Sequence, residues 1–254
     1  MTDQNKVSGK IINHNSSYIG DVYFNEKIID LKIKDPVDYD NIIIPGFVDL
    51  HCHGGNGFDV MEGTQSIIEM SEYHLRHGTT SIMPTTWTNT LENTISALKG
   101  FNEIKRDNGN NILGVHLEGP FINPNKLGAQ PNLTEKPSLE FIKKILEISD
   151  VKIITLAPEI DGMQEFINDL VELNIKIQFG HTLADFDCCE KIMKDHEIGF
   201  THLYNAMSGN DHRSPGVLSA ALSKGKYAEI ICDNIHVSKA VSYTHLRAHE
   251  THLN

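Results

Sequence analysis

After Asp35-Pro36 the sequence settles into one repeated arrangement, in which apolar runs of strand length alternate with longer segments of helical period. The runs are residues 42–50, 81–85, 112–117, 152–156, 175–179, 200–203 and 228–232. Between them lie helix candidates at 66–77, 91–106, 138–147, 162–173, 183–194 and 216–223, with apolar residues three and four apart, as in Ile142, Ile145 and Leu146. Such alternation is produced by βαβ units, and so predicts a mainly parallel sheet covered by helices. The runs are almost continuously apolar, which fits strands buried on both faces. An open doubly wound sheet and a closed barrel both meet these conditions.

The placement of the unusual polar residues separates the two. His51 and His53, Glu118, His181, His202 and the stretch Asp233–His236 all fall at the C-terminal ends of candidate strands. In a closed barrel those ends converge on one mouth, whereas along an open sheet most of them could not meet. The predicted class is therefore α/β, a TIM-type barrel of which seven strands can be counted. Ahead of it, Val7 to Ile33 alternates short β-branched runs with Asn, Gly and Asp turns, which predicts a few antiparallel strands of a partial small β-sandwich. The expected division is 1–40 for these strands, 41–240 for the incomplete barrel and 241–254 for a tail. Three of the chain's 14 histidines lie in that tail, which is repetitive and reads as non-native, cloning-derived text.

A formal charge of -12 argues against a surface that neutralises phosphodiester backbones, so no nucleic-acid partner is expected. A small anion stays possible, since one Arg, one His and a few amides can hold a phosphate at any net charge. The four cysteines form neither a CxxC pair nor a disulfide framework, which fits a reduced compartment. The N-terminus has no apolar leader and no run reaches a membrane span, so a cytoplasmic protein without a membrane partner is expected.

Within Pro45-Gly-Phe-Val-Asp-Leu-His51-Cys-His53-Gly, two imidazoles at i and i+2 lie on one side of a strand end. They suit two ligands to one ion, and equally a pair of hydrogen-bonding strand caps. Glu118, ending the run Gly114-Val-His116-Leu, would be costly to bury without a cation. His116, one strand period earlier, is either a donor behind the site or a packed core group. His181 and His202 each read singly as structural histidines, yet with Glu118 they form a His2Glu set that leaves a position open for water, the form of a catalytic metal site. Asn205, Ala206, Arg213 and His236 gather where an anion could bind, with Arg213 on a loop where it either grips phosphate in two-pronged fashion or is an exposed arginine without a ligand. Cys188 and Cys189 read as helix packing.

On these residues the chain resembles the N-acetylglucosamine-6-phosphate deacetylases of the amidohydrolase superfamily, from the N-terminal strands to about Lys239. The resemblance rests on the His51-Cys-His53-Gly segment, His116-Leu-Glu-Gly-Pro-Phe, Gly128-Ala-Gln-Pro, Phe179-Gly-His-Thr, Thr201-His-Leu-Tyr-Asn-Ala-Met, Arg213-Ser-Pro-Gly and Asp233-Asn-Ile-His. It implies that Glu118, His181 and His202 bind a divalent metal, zinc or iron. His51 and His53 match a pair that supports a second ion in some members, so one or two ions are implied. Ala129, Gln130, Asn205, Ala206, Arg213 and His236 match contacts to a small-molecule sugar phosphate, with the Gln130 amide donating to the acetyl oxygen. The implied fold is a TIM-type (β/α)8 barrel of the metal-dependent hydrolase kind, incomplete here at its C-terminus; the implied activity is hydrolytic removal of that acetyl group, and the implied full-length assembly is a homodimer or homotetramer.

The catalytic Asp of the resemblance stands at the end of an eighth strand, beyond the last residue, so no catalytic base is identified. An inactive sugar-phosphate-binding fragment is therefore a second expectation. Another metal-dependent amidohydrolase is a third, although such enzymes carry a lysine at the end of the fourth strand, where this chain reads Lys152-Ile-Ile-Thr-Leu-Ala-Pro-Glu159.

Overall fold

A computed structural model describes residues 5–35, 40–107 and 111–248, and the chain divides into two compact units, Met1–Phe47 and Val48–Asn254. In the first unit β1 (Asn5–Asn13) pairs antiparallel with β2 (Ser16–Phe24), and β2 with β3 (Ile28–Ile33). The short β4 (Ile42–Ile43) joins β1 in parallel, giving the order β3-β2-β1-β4. β4 belongs to this sheet, and the first unit runs to Phe47. Asp21 is buried on β2 and ties the layer together, accepting from Ser8 Oγ at 2.7 Å and pairing with Lys34 Nζ at 2.7 Å.

The second unit is built on β5 (Phe47–Cys52), β8 (Thr79–Thr86), β9 (Val115–Glu118), β10 (Val151–Leu156), β11 (Lys176–Phe179) and β12 (Ile198–Phe200), with a two-stranded excursion of β6 (Gly54–Gly55) and β7 (Phe58–Asp59). Their intervening helices are α1 (Thr64–Arg76), α2 (Leu91–Leu98), α3 (Phe101–Asp107), α4 (Leu139–Leu146), α5 (Met163–Glu172), α6 (Phe186–Met193) and α7 (Val217–Lys224), followed by α8 (Lys239–Ala248). The sheet order is β12-β11-β10-β9-β8-β5, so every large strand lies beside its predecessor in the chain. A doubly wound sheet reverses direction at a switch point. This one never does, and since βαβ crossovers are right-handed, all its helices fall on one face.

The two faces differ as a two-residue period requires. Val115 and Leu117, Ile154 and Leu156, and Ile177 and Phe179 enter the apolar core with Ile142, Ile145, Phe166, Ile167 and Ile192 from the helices. Phe121 meets Phe141 and Phe166 edge to face, with centroids 5.5 and 4.9 Å away. The alternating positions His116, Glu118, Thr155 and Gln178 are buried on the opposite face, and that is where the polar chemistry collects. His116 Nε2 meets Thr155 Oγ1 at 2.7 Å, and Thr155 Oγ1 meets Thr201 Oγ1 at 2.6 Å.

Helix limits follow local chemistry. Thr90, Ser138 and Asp185 cap α2, α4 and α6 by accepting backbone amides at 3.3, 3.2 and 2.8 Å. The single helix expected over 91–106 is two helices, because Gly100 takes a left-handed φ of 86° between them. The expected strand at 228–232 is not formed. Only Glu229 makes ladder-like bonds, donating to Phe200 O and accepting from Leu203 N, both at 2.8 Å. With no further strand on its other side among the described residues, nothing extends that pairing. Residues 241–248 of the expected tail continue α8, and 249–254 lie outside the described residues. Among the described residues no helix is long and apolar enough to cross a membrane.

Candidate metal centre

Glu118 ends β9 and is 1% exposed. Its backbone turns at once through Gly119, with φ of 82°, where a Cβ would meet Thr88 Oγ1 at 2.1 Å. Only glycine fits there, and the close approach lets Thr88 Oγ1 donate to Glu118 O at 3.1 Å. His51 stands on β5 and His53 just beyond it, while His181 and His202 follow the tips of β11 and β12. Both of the latter adopt left-handed backbones, φ 50° and 31°, a conformation uncommon for residues with a Cβ and concentrated at functional sites.

Glu118 Oε1 lies 3.0 Å from His181 Nε2 and 3.0 Å from His202 Nε2, and those nitrogens are 3.0 Å apart. Glu118 Oε2 lies 2.9 Å from His53 Nε2 and 3.4 Å from His51 Nε2, with 3.2 Å between the nitrogens. Each oxygen thus closes a separate triangle of donor atoms. Ligand atoms about 2.0–2.1 Å from a tetrahedral zinc stand about 3.3 Å apart, so both triangles have the dimensions of one ion's ligand set.

Proton placement points the same way. His53 Nδ1 meets Thr85 O at 3.0 Å and His181 Nδ1 meets Lys126 O at 2.8 Å. A carbonyl can only accept, so each Nδ1 holds the proton and each Nε2 of the neutral ring presents a lone pair. Lone pairs then face a carboxylate oxygen, an arrangement that repels unless a cation or an added proton lies between. Burial would raise the Glu118 carboxyl, but when an added proton fills that place the hydrogen bonds of His181, His202, His51 and His53 outweigh it and hold it well below the usual range. For His51 burial acts downward, yet the hydrogen bonds and charges of Glu118 and Glu229 push it up to about 10. The cluster therefore demands positive charge, and its donor set fits a divalent cation.

A cavity of about 950 Å³ opens over this cluster. Of the residues expected to meet a sugar phosphate, Ala129, Gln130, Asn205, Ala206 and His236 line it. Gly128, with φ of 56°, carries the 128–130 loop past His181, and Asn205 Nδ2 donates to His202 O at 3.4 Å. Arg213 is not in the wall. It sits on an exposed loop where Asp211 Oδ1 accepts the Arg213 and Ser214 amides, both at 2.8 Å, because an Asx turn sets that loop outward.

Gln130 is held within the cluster. Its Oε1 accepts from Thr88 N at 2.7 Å, which fixes the amide, and its Nε2 donates to Glu118 Oε2. His116 does not reach Glu118 by any hydrogen bond among the described residues. It is held between Leu50 O at 3.0 Å and Thr155 Oγ1, and burial pushes it down to about 4, so it is a neutral core group.

Two residues of the cavity wall were not singled out in the sequence. Trp87 stacks on His53 with centroids 3.7 Å apart, and its Nε1 donates to Asp59 Oδ2 at 2.8 Å. Glu229 accepts from His51 Nδ1 at 2.8 Å.

Residues 42–254 match the amidohydrolase family. The chain belongs to that family. Among curated amidohydrolase relatives it is 40% identical over 207 residues to N-acetylglucosamine-6-phosphate deacetylase of Bacillus subtilis, covering 78% of this chain and 52% of the relative. It is 32% identical over 206 residues to N-acetylgalactosamine-6-phosphate deacetylase of Escherichia coli O157:H7, covering 78% and 55%. The chain thus spans about half the length of these relatives. Among solved structures it is similar to a substituted form of the Mycobacterium smegmatis N-acetyl-D-glucosamine-6-phosphate deacetylase in complex with N-acetyl-D-glucosamine-6-phosphate. That likeness has a TM-score of 0.86 at 28% identity, over 96% of this chain and 67% of the other.

Proposed function

We propose that this chain carries the metal centre and sugar-binding wall of an N-acetylglucosamine-6-phosphate deacetylase, which hydrolyses the acetamide to glucosamine 6-phosphate and acetate in amino-sugar catabolism. The observation that carries the reading is the pair of donor triangles meeting on the two oxygens of Glu118. The named relatives support the substrate class. In this reading the six-stranded sheet is part of an eight-stranded TIM-type barrel, and β1–β4 are part of a small β-sandwich.

Glu118, His181 and His202 would hold one divalent ion, zinc or iron, and His51 and His53 with Glu118 a second. Such an ion supplies Lewis acidity, lowering the pKa of water towards about 7 and polarising the amide carbonyl. The chain's own groups do the rest. Gln130, anchored by Thr88, keeps Glu118 Oε2 in place. Asp233 Oδ2 holds the proton of His236 on Nδ1 at 2.6 Å, so Nε2 is the atom that accepts a proton or, once charged, donates to the acetyl oxygen. Asn205 and the Ala206 backbone offer polar contacts to the sugar. Arg213 would meet the phosphate from a neighbouring subunit of a dimer or tetramer, since its own loop lies outside the wall. A cytoplasmic location accords with the free cysteines.

The test is calorimetric binding of N-acetylglucosamine 6-phosphate to the zinc-loaded protein together with release of acetate, with the galactosamine epimer in parallel. Binding that requires both metal and phosphate is expected, and Glu118→Gln should abolish it along with zinc retention. A protein that neither binds the phosphorylated sugar nor frees acetate would overturn the reading.

A further inference from the structure

Of the four imidazoles around Glu118, His51 alone is backed by a carboxylate. His53 and His181 hand their Nδ1 protons to backbone carbonyls, and His202 Nδ1 is buried with no hydrogen-bond partner among the described residues. We infer that Glu229 is a positioning residue that fixes His51 as a ligand and thereby creates the second cation position. This rests on the metal-centre reading above.

The geometry of the pair supports it. Glu229 Oε2 stands 2.8 Å from His51 Nδ1, and an ionised carboxylate can only accept. The proton is therefore held on Nδ1, so that an ion taking the place of any proton on Nε2 would meet its lone pair beside Glu118 Oε2 and His53 Nε2, at 3.4 and 3.2 Å. A carboxylate behind an imidazole also makes the opposite nitrogen a stronger donor to a metal. The ring has little freedom to swing, because His116 packs against it edge-on at 4.8 Å and the His51 amide is bonded to Asp49 Oδ1 at 3.0 Å.

Glu229 is itself anchored beside β12 through Phe200 O and Leu203 N, so the contact reaches across 178 residues of sequence from beyond one edge strand to the other. His51, His116 and Glu229 also lie close enough to suggest a third site. They do not form one: both His116 nitrogens are already engaged, by Leu50 O and Thr155 Oγ1. The role left for Glu229 is to hold His51.

Trp87, the only tryptophan in the chain, stacks on His53 and reports on this position directly. The experiment is a titration of the chelator-treated full chain with Co2+, read by bound ion per chain and by Trp87 quenching, with His53→Ala to assign the strongly quenching phase. Two ions per wild-type chain are expected. In Glu229→Ala the quenching phase should weaken by about 10- to 100-fold while one ion is retained. Glu229→Gln, whose amide oxygen still accepts the Nδ1 proton, should fall between.

Retention of one ion shows that the alanine variant is folded. Should that variant fail to fold, the glutamine variant carries the test, with a weakening of several-fold expected. An unchanged quenching phase in the folded variants overturns the inference. A wild-type chain that takes one ion overturns it as well while leaving the metal-centre reading intact, and a chain that takes none overturns both.

Discussion

At Glu118 a carboxylate almost out of water meets four imidazole nitrogens within 3.4 Å, and each of its oxygens serves a different pair. An unpaired charge there would cost several kcal/mol, which is why the sequence already marked the position. The cysteines obey the same rule of burial in a simpler form. Burial, with a contribution from Asp49, pushes the Cys52 thiol up to about 11, and burial likewise raises Cys188 and Cys189. Cys232 is exposed and lines the cavity. A disulfide reagent at pH 8 should therefore modify one thiol per native chain quickly, mapped to Cys232 by mass spectrometry, and N-acetylglucosamine 6-phosphate should slow it. Rapid modification of Cys189 would contradict the packing described here. Glu118, His181 and His202 were legible in the sequence because each interrupts or ends an apolar run. Glu229 gave the same signal, a lone carboxylate in Ala228-Glu-Ile-Ile-Cys232, but its meaning depends on a partner 178 positions away that no local pattern reveals.

Among the elements, periodicity located six of the seven expected strands, although 42–50 covers both β4 and β5 and 200–203 shares only Phe200 with β12, and it located the regions of all the expected helices, since burial on both sheet faces leaves a strongly apolar record. It failed where order depends on a neighbour. Residues 228–232 have the composition of a strand, yet a ladder needs a second edge to lengthen. The break at Gly100 was readable as a helix-ending glycine, and the apolar residues beyond it masked it. In the smaller sheet, Asp21 yields a pH prediction. The hydrogen bond from Lys34, then that from Ser8, lower its carboxyl from 3.8 to about 2. A carboxylate depressed on folding contributes stability that is fully present above its unfolded value and is lost as pH falls through the folded one. The sheet should thus weaken between about pH 4 and about pH 2, followed by far-UV circular dichroism. In Asp21→Asn that loss should flatten, and an identical acid profile would show that the Lys34 and Ser8 contacts do not bear on folding.

For the whole molecule, β5 stands at one end of the six-stranded order, with no strand paired on its outer side among the described residues, and Phe47 and Val48 are each 60% exposed. Unpaired edges with apolar side chains recruit other chains. Sedimentation should therefore show association that grows with protein concentration, and Phe47→Lys should shift it towards monomer, whereas a monomer at all concentrations would mean that this edge is protected. The order of the large strands has a consequence of another kind. Each can dock on the one made just before it, so the sheet can grow while the ribosome is still delivering sequence. Glu118 is then in place early beside His51 and His53, while His181 and His202 arrive with the tips of β11 and β12. On the proposed metal-centre reading, the nascent protein should complete the cation position of Glu118, His181 and His202 only when those last two imidazoles have emerged.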